Sequence, residues 1–303
     1  MKKVIVIVGP TGVGKSKLAV SLAKKWNGEV ISGDSMQVYK EMSIGTAKIT
    51  EEEMQGVPHY LVHDRSYKDS YHVKIFQEQA RSFIEEMSHR NQLPIICGGT
   101  GLYIKAVLYD YVFHDQEEDP QYLSFLQERS NEQLYAMLKL VDKEALDTIH
   151  QNNRQRMIRA LMIAHSGKKK SSIIAQQKQE ELYDTFVIGL TMERELLYEQ
   201  INLRVDQMMK DGLLEEIETI VTEEAIWDLQ SMQGIGYKEW KAYFHNEKTK
   251  EECIELIKKN SRNFAKRQYT WFKNQMSVHW YDVKQKDWQQ ALQQDIEVWL
   301  YQS

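Results

Sequence analysis

The feature that most restricts the fold lies in the first sixteen residues. Val4-Ile5-Val6-Ile7-Val8 is an unbroken β-branched run, the pattern of a strand buried on both faces of a parallel sheet. It runs into Gly9-Pro10-Thr11-Gly12-Val13-Gly14-Lys15-Ser16, which fits GxxxxGK[ST]. Helical spacing follows over residues 17–26, with Leu18, Leu22 and Trp26 on one face. Strand, glycine-rich turn and helix in this order make a phosphate-binding loop. Glycines let successive N–H groups turn inward around phosphate oxygens, and the helix N-terminus adds its dipole. In such a loop Lys15 neutralises the terminal phosphate and the Ser16 hydroxyl ligates Mg²⁺. The loop predicts a bound diphosphate or triphosphate, and nothing about what the phosphate is for.

The same alternation continues. Short strands are predicted at residues 29–32, ending in Gly33-Asp34-Ser35, and at 93–97, running into Gly98-Gly99-Thr100-Gly101. Others follow at 185–190 and 278–281. Strands alternating with helices predict an α/β fold: a P-loop NTPase-like parallel sheet flanked by helices. From residue 114 to about 181 the texture changes to charged, Gln-rich helical stretches with one proline, Pro120. The expected division is therefore 1–113 with 181–303 as the core and 114–180 as an inserted all-helical domain. A chain of 303 residues has room for about two domains at roughly 150 residues each. The apolar stripe over 196–221 is expected to be core packing, and 253–273 a long basic helix.

Asp34 falls at the carboxyl end of the second strand, where open α/β sheets hold their ligands. A carboxylate there serves as general base or as a Mg²⁺ partner, or else it caps a helix; spacing leaves these open. His59 and His63 have i, i+4 spacing beside Asp64, but without HExxH and with Pro58 adjacent they read as structural histidines. Cys97 and Cys253 are too far apart for a metal-ligand spacing, which fits a reducing, cytoplasmic setting. The apolar run at 4–8 is too short to span a bilayer, so no membrane partner is expected.

A net charge of -5 speaks at first against a nucleic-acid partner. Its distribution speaks otherwise. Residues 153–170 hold Arg154, Arg156, Arg159, Lys168, Lys169 and Lys170 without an acid; 256–273 hold Lys258, Lys259, Arg262, Lys266, Arg267 and Lys273, again without one. These two stretches take twelve of the 39 basic residues and leave 27 against 44 acidic ones elsewhere. Phe264, Tyr269, Trp271 and Phe272 interleave with the second set, giving cations for phosphates and rings for bases. A solvated helix face is the plainer explanation of either stretch taken singly.

Taken together, these motifs resemble those of the tRNA dimethylallyltransferases, which modify adenosine 37 beside the anticodon. The phosphate loop is followed by Gly33-Asp34-Ser35-Met36-Gln37-Val38-Tyr39, Ile44-Gly45-Thr46-Ala47-Lys48 and Val57-Pro58-His59-Tyr60-Leu61. Then come Gly98-Gly99-Thr100-Gly101-Leu102-Tyr103, Asn153-Arg154-Gln155-Arg156, Gly234-Ile235-Gly236-Tyr237 and Ala265-Lys266-Arg267-Gln268-Tyr269-Thr270-Trp271-Phe272. A P-loop small-molecule kinase using ATP, the alternative, would share only the first. The resemblance implies that Gly9 to Ser16 clamp the diphosphate of dimethylallyl diphosphate with Mg²⁺, as leaving group rather than phosphoryl donor. It implies that Asp34 contacts the target adenine and takes its N6 proton, with Thr100 nearby. An arginine on the helix after the last core strand, Arg204 or else Arg194, is implied to bind diphosphate. Contacts with the tRNA anticodon stem-loop are implied for Asp34, Ser35, Met36, Gln37 and Thr100, for Gln155, Arg156, Met157, Ile158 and Arg159, and for Lys266, Arg267, Tyr269 and Trp271. A monomer is expected.

Overall fold

The computed structural model describes residues 1–111, 113, 119–167, 169–172 and 180–301. At its centre lie strands β1 (Lys3–Val8), β2 (Gly28–Ser32), β3 (His59–Tyr60), β4 (Leu93–Cys97), β5 (Asp184–Thr191) and β6 (His279–Asp282). They form one parallel sheet in the order β3-β2-β4-β1-β5-β6. The middle strand explains the opening run of the sequence. Val4, Val6 and Val8 face one helix-covered layer with Phe76, Ile84 and Ile104, while Ile5 and Ile7 face the other with Leu22 and Ile201. Both faces of β1 are dry from Val4 to Val8, so each of those positions takes a β-branched residue.

Parallel pairing aligns the carboxyl ends of β1, β2 and β4, and with them the turns that follow. Gly33 N–H donates to Cys97 O at 2.8 Å, Gly98 N–H to Ile7 O at 3.1 Å, and Thr100 N–H to Gly33 O at 3.2 Å. Three motifs far apart in sequence thus meet at one end of the sheet. Downstream, the predicted 196–221 stripe is two helices, Arg194–Lys210 and Leu213–Ile220, parted where Gly212 adopts φ 98°. The basic helix extends over Lys250–Gln275 and starts in a capping box, Thr249 Oγ1 accepting from Glu252 N–H and the Glu252 carboxylate from Thr249 N–H.

The chain forms two compact units: Met1–Tyr109 with Glu181–Ser303, and Asp110–Glu180. The second leaves the core earlier than the boundary after Phe113 that composition suggests. Its helices Pro120–Gln127, Asn131–Val141 and Arg154–His165 enclose their own core of Leu126, Leu134, Leu138, Met157 and Leu161. At the junction the outgoing and returning segments pair: Tyr109 bridges Glu181 antiparallel, Leu182 N–H donates to Leu108 O at 2.9 Å, and Asp110 N–H to Glu180 O at 3.0 Å. Cys97 and Cys253 are free thiols. Among the described residues no helix is long and apolar enough to cross a membrane.

Candidate active site

The phosphate loop is open for an anion. Gly12 (φ 86°) and Gly14 (φ 87°) take left-handed conformations that side chains rarely adopt. Gly14 caps the Lys15–Lys25 helix with no side-chain acceptor, and its first turn holds no acid. The amides of that turn therefore keep both their hydrogen-bonding capacity and the positive end of the dipole. Lys15 Nζ folds back to donate to Pro10 O at 2.7 Å. Burial pushes its pKa from 10.5 down to about 8; Arg204 pushes the same way, while Asp34 opposes both.

Arg204 reaches this loop and Arg194 does not. The Arg204 guanidinium donates from Nη1 to Thr11 Oγ1 at 3.0 Å and from Nη2 to Ala47 O at 3.2 Å. Arg194 is exposed, bonded to the Tyr198 hydroxyl at 3.1 Å and lying over its ring. Asp34 completes the cluster: its charge acts on Lys15, Arg204 and Cys97. One of its oxygens accepts from Met36 N–H at 2.8 Å, closing a local turn. No helix begins there, so Asp34 is no helix cap. Burial drives the neighbouring Cys97 thiol up to about 11, which leaves it an inert, protonated wall of the site.

Thr100 holds the next residue along. Its hydroxyl accepts from Ser35 N–H at 3.3 Å and sits 3.5 Å from Ser35 Oγ. The turn carrying it is pressed against the long basic helix. Gln268 Nε2 donates to Gly99 O at 3.0 Å, and a Cβ on Gly101 would stand 2.2 Å from the Trp271 ring. Beside that contact runs an open groove of about 560 Å³, lined by Asn263, Lys266, Arg267, Thr270, Trp271 and Asn274.

Several side chains named from sequence serve the fold. Gln37 braces its own loop, its amide 3.4 Å from both Thr46 O and Ala47 O. Met36 packs on Gly234, where an added Cβ would stand 2.5 Å from its Cε. Tyr269 leans on Trp280, ring centroids 4.8 Å apart. Met157 is fully buried in the core of the inserted unit, which removes its side chain from any RNA contact, and Ile158 packs beside it. Gln155, Arg156 and Arg159 are exposed on the same helix. Burial lowers the Lys170 pKa, and Arg156 and Arg159 lower it further, so positive charge is concentrated there.

The acid-free stretches are less uniform than their composition suggests. Arg154 donates to the carbonyls of Arg129 and Gln127 at 2.6 Å each, closing the end of the Pro120–Gln127 helix. Lys258 pairs with Asp206 at 2.8 Å, and Arg262 donates to Asn202 at 2.5 Å, both toward the Arg194–Lys210 helix. Lys168 lies outside the described residues. Lys266 and Arg267 are the basic residues of the second stretch that line the groove.

No group of three His, Cys, Asp or Glu side chains able to hold a metal exists among the described residues. His59 Nδ1 faces Val57 O at 2.8 Å and His63 Nδ1 faces Lys48 Nζ at 3.3 Å. The oxygen donors at the phosphate loop, the Ser16 hydroxyl and the Asp34 carboxylate, fit Mg²⁺, which keeps several waters and takes its other ligands from phosphate.

Two participants escape sequence reasoning. Gln268 reads as one more polar residue in a basic run, yet Ala265, Gln268 and Phe272 are all buried. Their spacing of three and four residues traces an inward stripe that would have placed it. Glu216 reads as a surface acid on an amphipathic helix; its partners are described below.

Comparison with known proteins points the same way as the sequence motifs. The IPP transferase family matches residues 37–275, a span that begins after the phosphate loop, so loop and match are independent observations. The chain is 52% identical over 287 residues to the tRNA dimethylallyltransferase of Bacillus cereus (strain G9842), covering 93% of this chain and 90% of that one. It is equally similar to the Bacillus anthracis enzyme of the same name, 52% over 287 residues, covering 93% and 91%. The crystal structure of a tRNA delta(2)-isopentenylpyrophosphate transferase from Staphylococcus epidermidis superimposes with TM-score 0.74 at 42% identity, over the full length of both chains. A eukaryotic dimethylallyltransferase acting on tRNA superimposes with TM-score 0.83 at 32% identity, covering 98% of this chain and 78% of the other. By sequence along nearly its whole length, and by fold, the chain belongs to the IPP transferase family.

Proposed function

We infer that this chain transfers a dimethylallyl group from dimethylallyl diphosphate to N6 of adenosine 37 in tRNA, releasing diphosphate. The observation that carries the reading is the meeting of a phosphate loop, a carboxylate and an RNA-suited helix at one end of the sheet. Lys15, Thr11 and Arg204 gather at the loop, with Asp34 acting on the two cations. Gln268 and Trp271 press the Thr100 turn beside them. A kinase would have no use for the basic groove.

The chemistry follows from where charge develops. As the allylic C1–O bond breaks, the diphosphate leaves with the electron pair and C1 becomes cationic. Lys15, Arg204 and the amides of the first helical turn stabilise the departing anion. Mg²⁺ held by Ser16 and the diphosphate oxygens would add further positive charge there. The N6–C1 bond forms as the adenine amine attacks, and Asp34 accepts the N6 proton. Alignment matters because an exocyclic amine is a weak nucleophile. A stacked base cannot reach such a site, so adenosine 37 must turn out of the anticodon loop. Gln155, Arg156 and Arg159 on the inserted unit, with Lys266, Arg267 and Trp271 on the core, would grip the stem-loop.

The decisive assay incubates the protein with Mg²⁺, unmodified tRNA and labelled dimethylallyl diphosphate, alongside an ATP control. Label in tRNA is expected; ATP turnover without label would overturn the reading. Affinity for tRNA is also expected to fall steeply with salt. Neutralising Lys266 or Arg267 should lower the slope of log K against log[salt] by about one unit each.

A further inference from the structure

Glu216 stands on the Leu213–Ile220 helix, which touches neither the phosphate loop nor the groove in any contact described above, yet its carboxylate is saturated with donors. Oε2 accepts from Ser43 N–H at 2.8 Å and Ile44 N–H at 2.7 Å. Oε1 accepts from Gly45 N–H at 3.1 Å and from the Tyr237 hydroxyl at 2.6 Å. Three consecutive backbone amides on one carboxylate form a built anion cradle, filled here by the chain's own side chain. Burial, and then the charge of Glu216, raise the Tyr237 phenol, so it remains a donor.

The two glycine motifs of the sequence are the halves of this assembly. A Cβ on Gly45 would stand 2.5 Å from the Tyr237 ring, so only glycine lets the ring lie on the loop. Tyr237 is anchored in turn, because Gly236 N–H donates to Glu239 Oε2 at 2.9 Å and Glu239 Oε1 accepts from Asn260 at 2.7 Å. What the cradle holds leads directly to the phosphate loop. Ala47 N–H donates to Ile44 O at 2.9 Å, and Ala47 sits at φ 46°, a left-handed conformation that survives only when its surroundings enforce it. The carbonyl of Ala47 is the acceptor that, with Thr11, orients Arg204.

We propose that Glu216 and Tyr237 are positioning residues for the diphosphate: by fixing residues 43–45 they set the Ala47 carbonyl that aims Arg204 at the phosphate loop. This deepens the proposed function and rests on it for the identity of the diphosphate, but its first test needs only inorganic diphosphate and Mg²⁺. Calorimetry should show Glu216→Ala weakening diphosphate binding by ~10-fold or more, since several charge-assisted hydrogen bonds are lost together. Glu216→Gln should recover only part of that loss: its carbonyl oxygen can serve both Ser43 and Ile44, but its amide nitrogen cannot accept from Gly45 N–H. Tyr237→Phe, which keeps the ring on Gly45, should weaken binding by ~3- to 10-fold.

In transfer assays the KM for dimethylallyl diphosphate should rise in parallel while the KM for tRNA stays within about twofold. In an Arg204→Ala background, Glu216→Ala should add less than about twofold, as expected of two residues acting in series. The proposal is overturned if folded Tyr237→Phe binds diphosphate as the parent does, if the Glu216→Ala loss is undiminished without Arg204, or if the tRNA KM rises in step. Should Glu216→Ala not fold, Tyr237→Phe and Glu216→Gln decide. A parent protein that binds diphosphate but prenylates no tRNA would sink the proposed function and leave this test intact.

Discussion

Asp34→Asn should lower turnover by ~10²- to 10⁴-fold, the range for loss of a positioned general base. The asparagine oxygen can still accept from Met36 N–H, so the local turn survives and the change isolates the charge. Affinity for tRNA should stay within about twofold, since the proposed phosphate contacts lie on other elements. Asp34→Ala removes the turn as well and should be at least as damaging. Single-turnover transfer with saturating tRNA is the measurement; near-normal rates in Asp34→Asn would remove Asp34 as the base. A second effect accompanies the first. The carboxylate raises the Lys15 pKa against the effect of burial, so its removal should lower that pKa below about 8.

Lys15→Met should be comparably severe, lowering kcat/KM by ~10²- to 10³-fold, as when one preorganised donor to developing negative charge is deleted. The parent's pH profile should show the same group. Its charge in the free protein is present well below pH 8 and lost as pH rises through about 8. The kcat/KM for dimethylallyl diphosphate should therefore fall about tenfold per pH unit above that point. Bound diphosphate favours the ammonium form, so kcat should hold to higher pH. In Asp34→Asn, whatever residual activity remains should lose its alkaline limb earlier. Stability should move the other way. A lysine whose folded pKa lies below its unfolded value of 10.5 opposes folding below pH 8, an opposition relieved as pH rises from about 8 toward 10.5. Lys15→Met should thus melt no lower than the parent near neutral pH. A large drop in Tm would show that Lys15 serves the fold instead.

Much of this site was legible in the sequence because its parts are local. The phosphate loop combines a strand, glycines at left-handed positions and a helix start, all within sixteen residues. Asp34 and Thr100 were placed at strand ends, where a parallel sheet converges its turns. Legibility stopped where a residue's role depends on a partner far along the chain. Arg154 reads as RNA-facing charge but closes a helix end 25 residues upstream. Lys258 and Arg262 sit in an acid-free run, yet their partners are Asp206 and Asn202 on another helix. Met157 lies within a motif that resembles an RNA-contacting segment and is nevertheless core. A motif records that positions matter together without recording which side chains face outward. Glu216 was hidden for the opposite reason: an acid on an amphipathic helix resembles any solvated one until its backbone partners are seen.

The bridged segments at the root of the inserted unit bear on how such a protein can be built. Tyr109 and Glu181 are bridge partners, the Tyr109 hydroxyl donating to the Glu181 carboxylate at 3.3 Å, although 71 residues separate them. The segment leaves and re-enters the core at one point, as a long hairpin does, so the core's own geometry holds the two ends together. Closure entropy grows only slowly with the length of what lies between. A turn of a few residues could join Tyr109 to Glu181 without moving either strand β5 or the helix Gly101–Leu108. The sheet and the inserted unit are therefore separable in gene architecture: one could be lengthened, exchanged or lost while the other keeps its fold.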